Sequence, residues 1–90
     1  MKTVRAKIKG TVQGVFFRKF VKEQADKLGI KGHVRNLESG EVEVVAEGEN
    51  SKVNELMKIC EKGPEHSMIK GLETQVLNNI GFDDFKILRV

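Results

Sequence analysis

The nine residues from Gly10 to Arg18 combine two glycines and a closing arginine with no acidic side chain, which is typical of an anion-binding loop. Gly10 and Gly14 let the backbone curl closely around a ligand and point its N–H groups inward. Where such a loop enters a helix, these N–H groups and the positive end of the helix dipole converge. Arg18 adds a planar fork for two phosphate or carboxylate oxygens. An ordinary strand-to-helix turn ending in a solvated arginine fits the same pattern.

The second stretch of chemical interest is Gly32-His33-Val34-Arg35-Asn36. The Asn36 side chain offers a donor and an acceptor, so it can orient a water molecule beside a bound anion. On its own, an asparagine before a turn more often satisfies the local backbone. Neither His33 nor His66 is obviously placed to act as a base.

Hydrophobic periodicity predicts the elements that carry these residues. Alternation indicates strands, and apolar spacings of three and four, which end at Gly29 and at Gly63-Pro64, indicate two helices. A cap at Asn50 or Ser51 would begin the second helix. Glu38-Ser39-Gly40 reads as a hairpin turn and 78–81 as a loop. The predicted strands are 3–9, 30–37, 41–47, 68–77 and a short one within 85–90, and the first helix runs from about Phe17 to Leu28.

This β-α-β-β-α-β order, followed by a short terminal strand, predicts an α+β fold of the ferredoxin-like type. Two helices would pack on one face of an antiparallel sheet whose first and third strands are central neighbours. Arg5, Lys7, Glu43 and Glu47 would share the opposite face, exposed to water and paired across strands. Cys60 falls on the buried stripe of the second helix, which favours an inert core thiol.

The composition of the chain limits the classes of protein to which it can belong. Residues 1–90 are enough for a single domain, with 39% hydrophobic and 32% charged residues. The formal charge of +3 comes from interspersed lysines and glutamates, which argues against a nucleic-acid partner. No stretch reaches membrane length, the chain opens without an apolar signal segment, and its single cysteine suits a reducing compartment. We therefore expect a cytoplasmic protein, and its mixed-charge surface favours a monomer.

Taken together, the spaced motifs resemble the acylphosphatase family. The resemblance begins with Gly10-x-Val12-Gln13-Gly14-Val15-x-Phe17-Arg18 and continues with Gly32-x-Val34-Arg35-Asn36-Leu37. It extends through Gly40-x-Val42-Glu43, Glu47-Gly48, Gly63-Pro64 and Phe85-x-Ile87, and so covers nearly the whole chain. The departures are His33, where the family often has an aromatic residue beside the loop, and Ser67-Met68, at the edge of the fourth strand.

The resemblance implies a small cytoplasmic enzyme that hydrolyses an acyl phosphate to a carboxylate and inorganic phosphate without a metal or cofactor. It implies that Arg18 binds the phosphate and that Asn36 orients the attacking water. The backbone of Gln13, Gly14, Val15, Phe16, Phe17 and Arg18 would form the phosphate cradle. The physiological acyl group is not indicated, and transfer of the water proton to a phosphate oxygen is a hypothesis.

The sequence gives less support to several rival functions. A cysteine nucleophile separated from the arginine by five residues would stand at Val12, and no His/Asp/Glu cluster has metal-ligand spacing. RNA binding is disfavoured because the two central strands have no aromatic residue. An acylphosphatase-like domain of a hydrogenase-maturation carbamoyltransferase would need further domains. A non-catalytic anion-binding or regulatory module of the same fold is the principal alternative.

Overall fold

The computed structural model describes residues 1–12, 15–65 and 67–89. Five strands form one sheet in the order β4-β1-β3-β2-β5, so β3 is the central strand and β1 its neighbour, as predicted. In chain order the elements are β1 (Lys2–Gly10), α1 (Val15–Leu28), β2 (Lys31–Asn36), β3 (Val42–Gly48), α2 (Asn50–Lys62), β4 (Ile69–Leu77) and β5 (Phe85–Ile87).

Strand pairing is antiparallel for β1 with β3, β1 with β4 and β2 with β3, as the fold class requires. The fifth strand adds a parallel pairing that the sequence did not predict: Gly32 lies opposite Phe85 and Val34 opposite Ile87. A hydrogen bond from Leu88 N to Val34 O at 2.9 Å continues this pairing past the last strand residue. The sheet is therefore mixed at the β5 edge.

Both helices cover the same face of the sheet, and the apolar stripes predicted from the sequence form one core. From α1 the buried residues are Phe17, Val21 and Ala25, and from α2 they are Val53, Leu56 and Cys60. They meet alternate residues of the strands, namely Val4, Ala6, Ile8, Val34, Val42, Val44 and Ala46. Burial raises the pKa of the Cys60 thiol to about 12, in keeping with the predicted inert thiol.

The helix ends depend on glycine more than on capping side chains. Gly29 follows α1 with φ of 70° and Gly63 follows α2 with φ of 74°, both in the left-handed region that favours glycine. The predicted cap of α2 at Asn50 or Ser51 is wrong: Glu49 precedes the helix and makes no side-chain capping hydrogen bond. Its backbone carbonyl instead accepts hydrogen bonds from Lys52 and Val53 at 3.0 Å.

The predicted exposure of two glutamates on the face away from the helices is wrong. Glu43 and Glu47 are only 3% and 2% exposed. Glu43 is enclosed by side chains of the flanking strands, and Glu47 lies beneath the β4–β5 connection, whose backbone it hydrogen-bonds at Ile80. The predicted cross-strand pairing is confirmed by the 2.6 Å contact between Arg5 Nε and Glu43 Oε2.

Candidate active site

The loop that leaves β1 begins at a point where two backbones nearly touch. Gly10 has φ of 136°, and a Cβ atom there would lie 2.0 Å from the carbonyl oxygen of Met68. Thr11 then donates its N–H to the same oxygen at 2.8 Å, and Val12 is fully buried. Glycine is required here because β1 and β4 approach too closely for a side chain. Gln13 and Gly14, two of the predicted cradle residues, lie outside the described residues.

The remaining cradle residues form the first turn of α1, which begins at Val15, two residues before the predicted start. The N–H groups at the very start of a helix have no partner within the helix, so the amides of 15–17 can act as donors at its positive end. No acidic side chain stands in this turn. Phe17 is buried and anchors the turn, whereas Phe16 is 85% exposed. This turn therefore has the properties of an anion-binding site.

Asn36 is the last residue of β2 and shares the helix-covered side of the sheet with Val34 and Gly32, two and four residues earlier. A Cβ atom at Gly32 would lie 1.8 Å from the carbonyl oxygen of Val45, so this strand needs glycine to pair with β3. The Oδ1 atom of Asn36 is buried and has no hydrogen-bond partner among the described residues. A buried acceptor of this kind is normally satisfied, so its geometry favours a ligand or water donor.

Arg18 and Asn36, which are 18 residues apart, line one cavity of about 310 Å³. The other lining residues in the described part of the chain are Val15, Leu88 and Arg89. The structure thus brings the two predicted site residues together at the beginning of α1 and the end of β2. Sequence reasoning missed Leu88 and Arg89, since their position depends on the parallel pairing of β5 with β2. Only the apolar pattern of 85–90 indicated a strand there.

The alternating residues of β2, His33 and Arg35, point to the opposite face of the sheet. His33 Nε2 lies 3.2 Å from Glu43 Oε1, and Arg35 Nε lies 2.7 Å from the same oxygen. His33 also meets the edge of the Phe82 ring, with centroids 5.8 Å apart. It belongs to the opposite face and does not line the cavity.

Glu43 is the shared acceptor of Arg5, His33 and Arg35 on this face of the sheet. Burial favours the protonated carboxyl, but hydrogen bonds from Arg35, Arg5 and His33 outweigh it and lower the pKa of Glu43 to about 2. The pKa of Arg35 is raised in turn, chiefly by its hydrogen bond to Glu43. Arg35 is thus committed to an ion pair, although it is adjacent to Asn36 in sequence.

No group of three or more His, Cys, Asp or Glu side chains within 1–12, 15–65 and 67–89 is arranged to hold a metal ion. Over the same residues, no helix is long and apolar enough to cross a membrane. The polar side chains that line the cavity among the described residues are two guanidinium groups and one amide.

Fold and cavity together define a two-layer α+β protein in which residues at the start of α1 and at the end of β2 line one cavity. The sequence pattern of the acylphosphatase family matches residues 4–87. The chain belongs to the acylphosphatase family.

Individual relatives agree with this assignment. An acylphosphatase of Methanothrix thermoacetophila is 44% identical over 85 residues, which cover 94% of each chain. One of Rubrobacter xylanophilus is 49% identical over 74 residues, or 82% of this chain and 67% of that protein. The crystal structure of acylphosphatase from Bacillus subtilis superimposes with a TM-score of 0.93 at 31% identity, covering 99% of this chain and all of the other. The similarity thus extends over the whole fold.

Proposed function

We propose that this protein hydrolyses small acyl phosphates to a carboxylate and inorganic phosphate by direct attack of water. The observation that carries this proposal is that Arg18, at the beginning of α1, and Asn36 line one cavity, while the buried Oδ1 atom of Asn36 has no hydrogen-bond partner among the described residues. An anion-binding element and a water-orienting element are the two parts that the reaction requires. The acylphosphatase relatives support the same reaction class.

The phosphoryl group would bind to the N–H groups of the first turn of α1 and to the Arg18 guanidinium. These N–H groups point out of the helix start, where the helix dipole favours a negative charge. A guanidinium binds two phosphoryl oxygens through a planar fork, which fixes orientation as well as charge. The contribution of Gln13 and Gly14 to the cradle rests on the family resemblance alone.

Asn36 would position the attacking water. Its Oδ1 atom, which has no partner in the described part of the chain, can only accept, so a water molecule held there donates one hydrogen and turns a lone pair away from the amide. If that lone pair faces phosphorus, attack proceeds in line with the departing acyl oxygen. This geometry would hold one water molecule in the orientation that attack requires.

The leaving group explains why so few side chains suffice. A carboxylate is a stable anion, so its departure hardly requires a general acid. The transition state of phosphoryl transfer is loose and spreads charge over three oxygens, which fixed donors stabilise without proton transfer. The water proton would pass to a phosphoryl oxygen, because His33 lies in another cluster.

We further propose that residues 1–90 act as one domain, as a monomer in the cytoplasm. The continuous core and the interspersed surface charges support this proposal.

The test is hydrolysis of benzoyl phosphate, followed by ultraviolet absorbance in the presence of EDTA. Arg18→Gln is expected to lower kcat/KM by about 10³-fold, and Asn36→Ala to lower kcat by about 10²-fold. Lys27→Gln removes the same charge from the far end of α1, and Asn54→Ala removes an exposed amide from α2. Both controls should turn over like the wild type.

Two results would contradict the proposal. Wild-type activity in folded Asn36→Ala would remove its role in orienting water. A folded wild type that binds phosphate but does not turn over substrate would favour the non-catalytic anion-binding module.

A further inference from the structure

Arg89 reaches the cavity because of the register of β5. In the parallel pairing, Gly32, His33 and Val34 lie opposite Phe85, Lys86 and Ile87. Continuing the same offset brings residue 89 to the level of Asn36, and the 2.9 Å hydrogen bond from Leu88 N to Val34 O holds the chain in that path. Arg89 accordingly lines the cavity together with Arg18 and Asn36.

Alternation along β5 determines which side of the sheet each cation occupies. Phe85 is buried and Ile87 packs against the core, so the chain presents residues 85, 87 and 89 on the side covered by the helices. Lys86 has the opposite orientation and lines a separate groove with His33 and Phe82. Two cations three residues apart therefore face different sites, which makes Lys86 a matched control for Arg89.

The Arg89 guanidinium is not committed to a structural ion pair among the described residues. Arg5 and Arg35, by contrast, both bind the Glu43 carboxylate, at 2.6 and 2.7 Å. Ion pairs elsewhere in the described chain use Lys22 and His33. The Arg89 side chain is exposed to solvent, and it lines the same cavity as Val15 and Arg18 at the start of α1.

Charge balance at this cavity favours a second guanidinium. A phosphoryl group carries close to two negative charges at neutral pH, on the order of −1.5 to −2. Arg18 supplies one positive charge and the helix start about half of one, which leaves a doubly charged group incompletely balanced. Arg89 supplies the missing charge from the side of Asn36.

We propose that Arg89 is a second phosphoryl-binding residue and that it makes the cavity select doubly charged over singly charged tetrahedral anions. This inference rests on the proposed function, since it assigns a further ligand to the same phosphoryl group. Its test nevertheless uses binding rather than turnover. The inference about Arg89 and the proposed function can therefore fail separately.

The experiment measures binding of two anions of closely similar shape by isothermal titration calorimetry. Methylphosphonate carries two negative charges above its second ionisation, whereas methanesulfonate carries one at the same pH. Arg89→Gln is expected to weaken methylphosphonate binding about fivefold and methanesulfonate binding by less than about twofold, the scale of one partly exposed charge pair. Arg89→Lys should recover part of the difference, because it keeps the charge but loses the fork.

Lys86→Gln should leave both affinities unchanged, and a common melting temperature for all variants would exclude unfolding as the cause. Equal weakening of the two anions in Arg89→Gln, or no weakening, would overturn the inference even if acyl phosphates are hydrolysed. If Arg89→Gln loses the preference for methylphosphonate, the binding role of Arg89 is supported. If the wild type shows no turnover in the same series, the proposed function is contradicted.

Discussion

The Glu47 side chain of β3 accepts a hydrogen bond from the backbone N–H of Ile80 at 2.6 Å and thereby fastens the β4–β5 connection to the sheet. The same carboxylate accepts from Gly81 and Phe82 at 2.8 and 3.0 Å, and the Thr3 hydroxyl donates to it at 2.6 Å. One buried carboxylate thus satisfies three successive loop amides. The loop leads directly into β5, which carries Leu88 and Arg89 to the cavity.

Glu47→Gln is expected to lower the free energy of unfolding by about 2–3 kcal/mol, because an amide has one acceptor oxygen and cannot replace a buried carboxylate that accepts four hydrogen bonds. Urea unfolding followed by circular dichroism measures this, since the chain has no Trp or Tyr for fluorescence. Glu55→Gln, on the exposed side of α2, is the matched control and should change stability by less than about 0.5 kcal/mol. Equal stability of the two variants would show that Glu47 does not fasten the loop.

Stability should fall in acid because of Glu43 and Glu47. Hydrogen bonds, chiefly from Arg35 and Arg5 to Glu43 and from Thr3 and Ile80 to Glu47, lower both pKa values from 4.5 to about 2. The unfolded chain therefore binds more protons than the folded chain between these values, and the stabilisation present above pH 4.5 is lost as the pH falls towards 2.

Each group contributes a slope of at most about 1.4 kcal/mol per pH unit in that window. Measuring urea unfolding at a series of acidic pH values should give a steep fall for the wild type and a shallower one for Glu43→Gln and Glu47→Gln singly. Parallel slopes in all three proteins would contradict the assigned pKa values.

Local patterns predicted most of the fold and part of the site. Alternation in β1 and the glycine after Leu28 are properties of short stretches, so the sequence alone indicates them. Arg18 and Asn36 were identified from a motif, and the structure brings both to one cavity. The parallel course of β5 was not predictable, because a three-residue strand carries no signal of its partner or direction. Arg89 was missed for that reason.

Burial of Glu43 and Glu47 was missed for a different reason. A carboxylate in an alternating strand normally faces water, and Glu43 becomes buried only because Arg5, His33 and Arg35 converge on it from both neighbouring strands. Glu47 becomes buried because a loop more than thirty residues away in sequence closes over it. Both causes are tertiary contacts, which the local pattern does not encode.

Gly32→Ala should be among the most damaging small substitutions. Its φ is 141°, and a Cβ atom would lie 1.8 Å from the carbonyl oxygen of Val45, so β2 and β3 would have to separate beside Asn36. We expect a loss of more than about 3 kcal/mol, measured by urea unfolding. Gly71→Ala is the control, since nothing lies within 4 Å of its Cβ position and its stability should change by less than about 1 kcal/mol. A well-folded Gly32→Ala protein would contradict the close approach of these backbones.

His33→Gln should lower the stability of the fold and leave turnover nearly unchanged. His33 contacts Glu43 and Phe82 on the face away from the helices, so its loss should lower the free energy of unfolding by about 1 kcal/mol. Turnover of benzoyl phosphate should stay within about twofold of the wild type, because direct water attack with proton transfer to the phosphoryl group needs no histidine base. His66→Gln tests the second histidine in the same assay. A hundredfold loss of kcat in either folded variant would replace this mechanism with general-base catalysis by that residue.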